Sequence, residues 1–116
     1  MINYHKELVK ALNNILPTYY EMVLHSGIKT PCISYMETNN YSATETIGAT
    51  VGYSRLSYQV KVWSNKIEEL QEYSIKIDKA LRAIGFKRVS TTELYDNNST
   101  MTQKILNYEA LAYEEF

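Results

Sequence analysis

The chain has 116 residues, enough for one domain that buries about two-thirds of the surface its unfolded form exposes. With 45% hydrophobic and 22% charged residues, its composition is that of a globular domain and excludes a disordered tail. Twelve basic against thirteen acidic residues leave a formal charge of −1, which argues against a broad phosphate-binding face.

The first segment, Ile2 to Leu16, carries Tyr4, Leu8, Ala11, Leu12 and Ile15 at helical spacing, with Pro17 as a stop. Thr18 to Leu24 (TYYEMVL) reads as a strand, followed by turn chemistry at His25-Ser26-Gly27 and a second break at Lys29-Thr30-Pro31. Cys32 to Glu37 (CISYME) is short, apolar and alternating, so it predicts a second strand. Thr38 to Gly52 (TNNYSATETIGATVG) has neither helical nor strand periodicity. A stretch this long inside a compact domain predicts a mobile or partner-ordered loop, with a protruding hairpin as the alternative.

From Tyr53 to Trp63, Leu56, Tyr58, Val60 and Val62 alternate with Ser57, Gln59 and Lys61, the pattern of a half-buried strand. The period then changes. Ile67, Leu70, Ser74, Ile77, Leu81 and Ile84 follow a three-four spacing and draw one stripe down a helix. Asn65 and Glu68 have capping-box spacing at its start, with Ser64 as the other candidate cap, and Gly85 closes it. Phe86 to Tyr95 predicts a fourth strand, Asp96-Asn97-Asn98-Ser99 a turn, and Met101 to Tyr113 a fifth strand. On the last, Leu106, Tyr108, Ala110 and Ala112 form the core-facing set. The expected architecture is one domain over 1–116, an α+β two-layer sandwich in the order α-β-β-β-α-β-β. It has a mainly antiparallel sheet of about five strands and both helices on one face.

Chemistry is sparse. His5 and His25 read as solvated side chains, with no neighbouring Cys or carboxylate pattern at metal-ligand spacing. Cys32, the single cysteine, has no internal disulfide partner, which fits folding in a reducing compartment. A nucleophilic Cys32 would need a base such as His25 beside it, and nothing in the spacing calls for that pairing. The glycines at 27, 48, 52 and 85 are scattered singly, so no phosphate-cradling loop is expected. No cofactor or metal is expected. No apolar run approaches the roughly 20 residues of a membrane span, and MINYHKEL lacks a signal peptide's apolar stretch. The expectation is a soluble intracellular product at the time it folds. Two features point toward contacts with other proteins. Eleven tyrosines, which suit sheet faces and interfaces, dwarf the two phenylalanines and one tryptophan. Lys79, Arg82, Lys87 and Arg88 cluster around the end of the second helix.

Four pieces of the chain carry a family likeness: an N-terminal helix ending in Pro17, the strand TPCISYME, the strand SYQVKVWS with its helix closing on RAIGFKRVS, and the strand KILNYEALAYEEF. In these the chain resembles the small tail-completion, or tail-terminator, proteins of long-tailed (siphovirus-type) bacteriophages and prophages of Gram-positive bacteria. The YQVKVWS-helix-GFKRV arrangement is the most specific piece, and it is a pattern of packing residues. The resemblance implies a structural virion protein and not an enzyme. It would form a ring, commonly a hexamer, that caps the head-proximal end of the tail tube and allows joining to the head connector. Its partners would be itself, the tail tube protein and the head connector protein, with no membrane. No sequence-specific nucleic acid is implied, although DNA would pass through the ring. Its place would be the virion tail, after the host cytoplasm. The candidate interface residues are Asn40, Tyr41, Thr44, Thr46 and Thr50 in the loop, and Lys79, Arg82, Lys87 and Arg88 in the basic cluster. The alternatives are a head-tail connector or stopper protein, or a small binding module outside a virion, for instance for nucleic acid.

Overall fold

A computed structural model describes residues 5–20, 31–42, 51–96 and 101–115. The elements follow the order α1 (His5–Asn13), β1 (Thr18–Tyr20), β2 (Cys32–Ser42), β3 (Val51–Ser64), α2 (Ile67–Ala83), β4 (Lys87–Asp96) and β5 (Met101–Glu115). They build an α+β two-layer sandwich around one five-stranded sheet in the spatial order β1-β2-β3-β5-β4.

Strand parity decides where the core lies. Ile33 and Tyr35 on β2, Leu56, Tyr58, Val60 and Val62 on β3, and Leu106, Tyr108 and Ala110 on β5 share one face of the sheet. All are buried together with Leu8 and Leu12 of α1 and Leu70, Ile77 and Leu81 of α2, so both helices cover that face. The core side expected for β5 is the one observed. On α2 the stripe is shorter than its periodicity predicts, because Ile67 is 62% exposed. It precedes the first turn that lies on the sheet.

Two strand relations differ from expectation. β1 pairs with β2 in parallel, Thr18 with Ile33 to Tyr20 with Tyr35, although a turn after β1 suggested an antiparallel partner. The connection spans residues 21–31, and a segment of that length can return the chain to start a parallel neighbour. β5 lies between β3 and β4, antiparallel to both. β3 and β4 are therefore parallel and joined over the sheet by α2, leaving a gap that the later strand fills.

The predicted 38–52 loop is antiparallel strand at its two ends, 38–42 and 51–52. β2 continues to Ser42 and β3 begins at Val51, with the register running from Glu37 opposite Tyr58 to Ser42 opposite Ser54 and one bulge between Glu37 and Asn39. Pairing compensates for the weak strand propensity of TNNYS, since Asn39 to Ser42 align with Ser57 to Ser54 of β3. Residues 43–50, with Thr44, Thr46 and Thr50, lie outside the described residues, as does His25.

Both ends of α2 are set by local chemistry. At the start the cap position falls one residue later than the Asn65/Glu68 box. Ser64 Oγ accepts the Lys66 N–H at 3.1 Å and donates to Glu69 Oε2 at 2.7 Å, while Lys66, in extended backbone, occupies the cap position without a side-chain bond. At the end Phe86 N–H donates to Leu81 O at 2.9 Å and Gly85 N–H to Arg82 O at 3.1 Å, with Gly85 at φ +99°. This is a Schellman closure, and Phe86 is the apolar residue that folds back into the core.

The molecule is long for its size. Its extents are 54 × 25 × 22 Å, and its radius of gyration of 15.6 Å exceeds the roughly 13 Å expected of a compact chain of this length. The reason lies in unequal element lengths. The 14-residue β3 and 15-residue β5 span roughly 45–50 Å. The 17-residue α2 spans only about 26 Å. α2 starts beyond Ser64 and ends where Phe86 meets Tyr58 edge-on, ring centroids 5.7 Å apart. Residues 39–42 of β2, 51–55 of β3 and 111–115 of β5 thus continue as a three-stranded arm past the end of α2.

Candidate functional site

The basic cluster read from the sequence is not one patch. Arg82 and Arg88 converge on Asp78: Arg82 Nε donates to Oδ2 at 2.8 Å, and Arg88 Nη1 lies 3.9 Å from Oδ1. Tyr108 adds a third contact from β5, its hydroxyl donating to Oδ1 at 3.0 Å. Burial pushes the Asp78 carboxyl up, but these bonds and the two arginine charges outweigh it and hold the group below the usual carboxylate value. The same contact, added to burial, raises the Tyr108 phenol. This network ties the last turns of α2 to β4 and β5. It leaves one surplus positive charge on half-exposed guanidinium groups.

Lys79 lies elsewhere, with Lys76 and Ala80 on the wall of a groove completed by Ala11, Asn14 and Ile15. Lys87 sits across from Glu109 at the first rung of the β4–β5 ladder. Closeness in sequence could not separate these three locations: Lys79 and Arg82 diverge on one helix, while Arg82 and Arg88, on either side of Gly85, converge on Asp78.

A second polar group lies under α1. His5 Nε2 is 2.7 Å from the Tyr35 hydroxyl, and the rings of His5, Tyr20 and Tyr35 form an edge-on cluster with Tyr20 and Tyr35 centroids 5.4 Å apart. His5 is exposed, as expected of a solvated side chain, and it also meets Tyr35. Nearby, Tyr58 donates to Glu37 Oε2 at 3.1 Å, and burial followed by the Glu37 charge pushes its phenol up. Cys32, 2% exposed, lies opposite Trp63, whose indole N–H donates to Ser34 Oγ at 2.9 Å. Burial raises the Cys32 thiol, so the thiolate needed of a nucleophile is disfavoured. Among the described residues no group of three or more His, Cys, Asp or Glu is placed to hold a metal ion, and no helix is long and apolar enough to cross a membrane.

The arm holds the remaining candidates. Asn40 and Tyr41 belong to β2, their backbones opposite Leu56 and Arg55. Arg55 was not singled out by the sequence; like Gln103, it has a buried side-chain atom with no partner among the described residues. Its Nε is buried without an acceptor among the described residues. It lines an open notch of about 400 Å³ with Gly85, Lys87, Glu109, Ala110 and Leu111. The notch exists because β4 begins only opposite Glu109, so β5 from Ala110 onward has no described strand on that side. The available signal was its place: a cation in a strand position alternating with Leu56.

The sequence matches no protein-family model and no curated protein.

Proposed function

We propose that this chain is a structural virion component, a non-enzymatic protein that caps the head-proximal end of a phage tail tube as a ring and allows joining to the head connector. The likeness carried by the β3–α2–β4 block motivates this reading. One structural observation supports it: the three-stranded arm leaves strand edges on opposite sides of the sheet. Among the described residues β1 pairs with β2 only at Ile33, Ser34 and Tyr35, and β4 pairs with β5 only up to Glu109. Two different edges without a described partner, on opposite sides, favour a head-to-tail contact, and such contacts close into rings when the rotation per copy allows. A solitary protein ordinarily blunts such edges, whereas a ring covers them. The partners are further copies, the tube protein and the connector protein, and the site of action is the virion tail.

Electron microscopy of tails made with and without the protein tests this. Overlong or head-incompetent tails in its absence, restored by adding the purified chain, are expected. Tails of normal length that join heads without it would refute the role.

A further inference from the structure

We propose that the outer edge of β4 pairs antiparallel with the same edge of a second copy of this chain, across a two-fold axis at Thr91. The inference stands apart from the capping role and uses neither edge of the arm. β4 is the last strand of the sheet on its side, and every residue from Lys87 to Leu94 is exposed. Among the described residues nothing pairs with its far side, although its ladder to β5 runs on to the Asp96–Met101 rung. Such an edge takes up a further strand through main-chain hydrogen bonds, and side chains decide which strand and in which register.

The side chains of β4 complement themselves. Arg88, Thr91 and Glu93 align with Tyr108, Leu106 and Lys104 of β5, so all three belong to the face that carries α2. The register skips Val89, the extra residue of a bulge between Arg88 and Ser90. With Thr91 opposite Thr91, Ser90 meets Thr92, and the skip then brings Arg88 opposite Glu93 twice in each dimer. Without the bulge Glu93 would meet Val89 instead. A centre at Ser90 or Thr92 also separates the two charges, and a parallel neighbour in register would set like charges side by side. Both groups retain capacity for a partner. Arg88 reaches Asp78 only at 3.9 Å, and Gln71 and Lys104 both contact Glu93 through Oε1. On the other face Lys87 comes beside Leu94, whose exposed side chain the lysine stem would cover. A bulge and charges ordinarily keep an edge from pairing. Here they admit one antiparallel register and penalise the rest. The product joins two five-stranded sheets edge to edge, with the helices of both copies on one side.

Sedimentation velocity of the full chain over a range of concentrations reads the association, after circular dichroism has established native folding of each variant. Arg88→Glu and Glu93→Lys each set like charges opposite each other twice per dimer. Each is expected to weaken dimerisation about tenfold. An equimolar mixture of the two variants restores opposite charges at both positions, so it should dimerise as the wild-type chain does. A folding defect would not be rescued by mixing. In a Cys32→Ser background, Thr91→Cys should give a reducible dimer on mild oxidation, and Leu94→Cys should not. Wild-type chain that stays monomeric up to about 1 mM would overturn the proposal. So would oligomers that neither charge variant weakens, because their contact would lie on another surface. Equal crosslinking of the two cysteine variants would refute the two-fold at Thr91.

Discussion

Asp78 shows how one carboxylate organises a corner of the molecule. It is only 19% exposed and holds two arginines and a tyrosine from three elements. Its folded pKa is depressed, so the stability it contributes is fully present above the ordinary carboxylate value and is lost as pH falls through the folded value. Asp78→Asn should destabilise the chain by about 1–3 kcal/mol at neutral pH. The gap to wild type should narrow below about pH 4, where Asp78 itself takes up a proton. Urea titrations at pH 7 and pH 3 measure both quantities, and a gap independent of pH would show that the charge is not the stabilising element. Gly85 gives a second residue-scale prediction. A Cβ there meets nothing within 4 Å, so Gly85→Ala should cost only backbone strain at φ +99°, about 1–2 kcal/mol in thermal or chemical unfolding. A neutral substitution would mean that the helix can end differently. Gly85 was legible in the sequence because its role is local. Asp78 was not, since its partners lie 4, 10 and 30 positions away along the chain and only the fold brings them together.

At the scale of elements, α2 and β3 were legible because each presents a single period to a single environment. Leu70 and Ile77 are fully buried in the shared core. Truncating either to Ala should cost about 2–5 kcal/mol, read from denaturant midpoints at unchanged m-value. A loss under about 1 kcal/mol would remove that side chain from the core. The exposed Ile67 marks the limit of this kind of reading, because periodicity cannot say where a helix first touches its sheet. The cap moved by one residue for a related reason. Ser64 belongs both to the end of β3 and to the start of α2, and its burial fixes the hydroxyl where Lys66 and Glu69 can use it. Residues 38–42 are the clearest miss among the elements. TNNYS has no strand pattern of its own, and its conformation comes from the neighbour it pairs with.

For the whole molecule, composition and element order implied the two-layer class but not the order of strands in space. Nothing in β4 announces that another strand will come between it and β3, since the pattern of an edge strand and of a central strand differ by what lies beside them. The observed residues agree: positions 87–94 of β4 are all exposed, while β5 alternates buried and half-buried positions between its two neighbours. The arm follows from lengths that the sequence did reveal in part, a long β3 and a helix too short to cover it. Its companion edges were hidden in segments that lack alternation. Of the candidate residues named from the sequence, Asn40 and Tyr41 fall on the arm, and the basic cluster divides among separate surfaces, because only the fold decides which positions share a surface.

The central position of β5 also bears on how the chain acquires its structure. Every rung between β3 and β4 passes through β5, and β5 follows all the other described elements along the chain. During synthesis at roughly 5–20 residues per second, β3 would stay without that partner for several seconds after its last residue is made. The contacts that finish the sheet are distant in sequence, which places the chain among slower-folding topologies. The nascent protein must therefore pass through a stage with an exposed apolar strand edge, before β5 arrives to occupy it. A chaperone that shields such an edge, or slow synthesis across the β4–β5 turn, would act on yield without touching a single native contact.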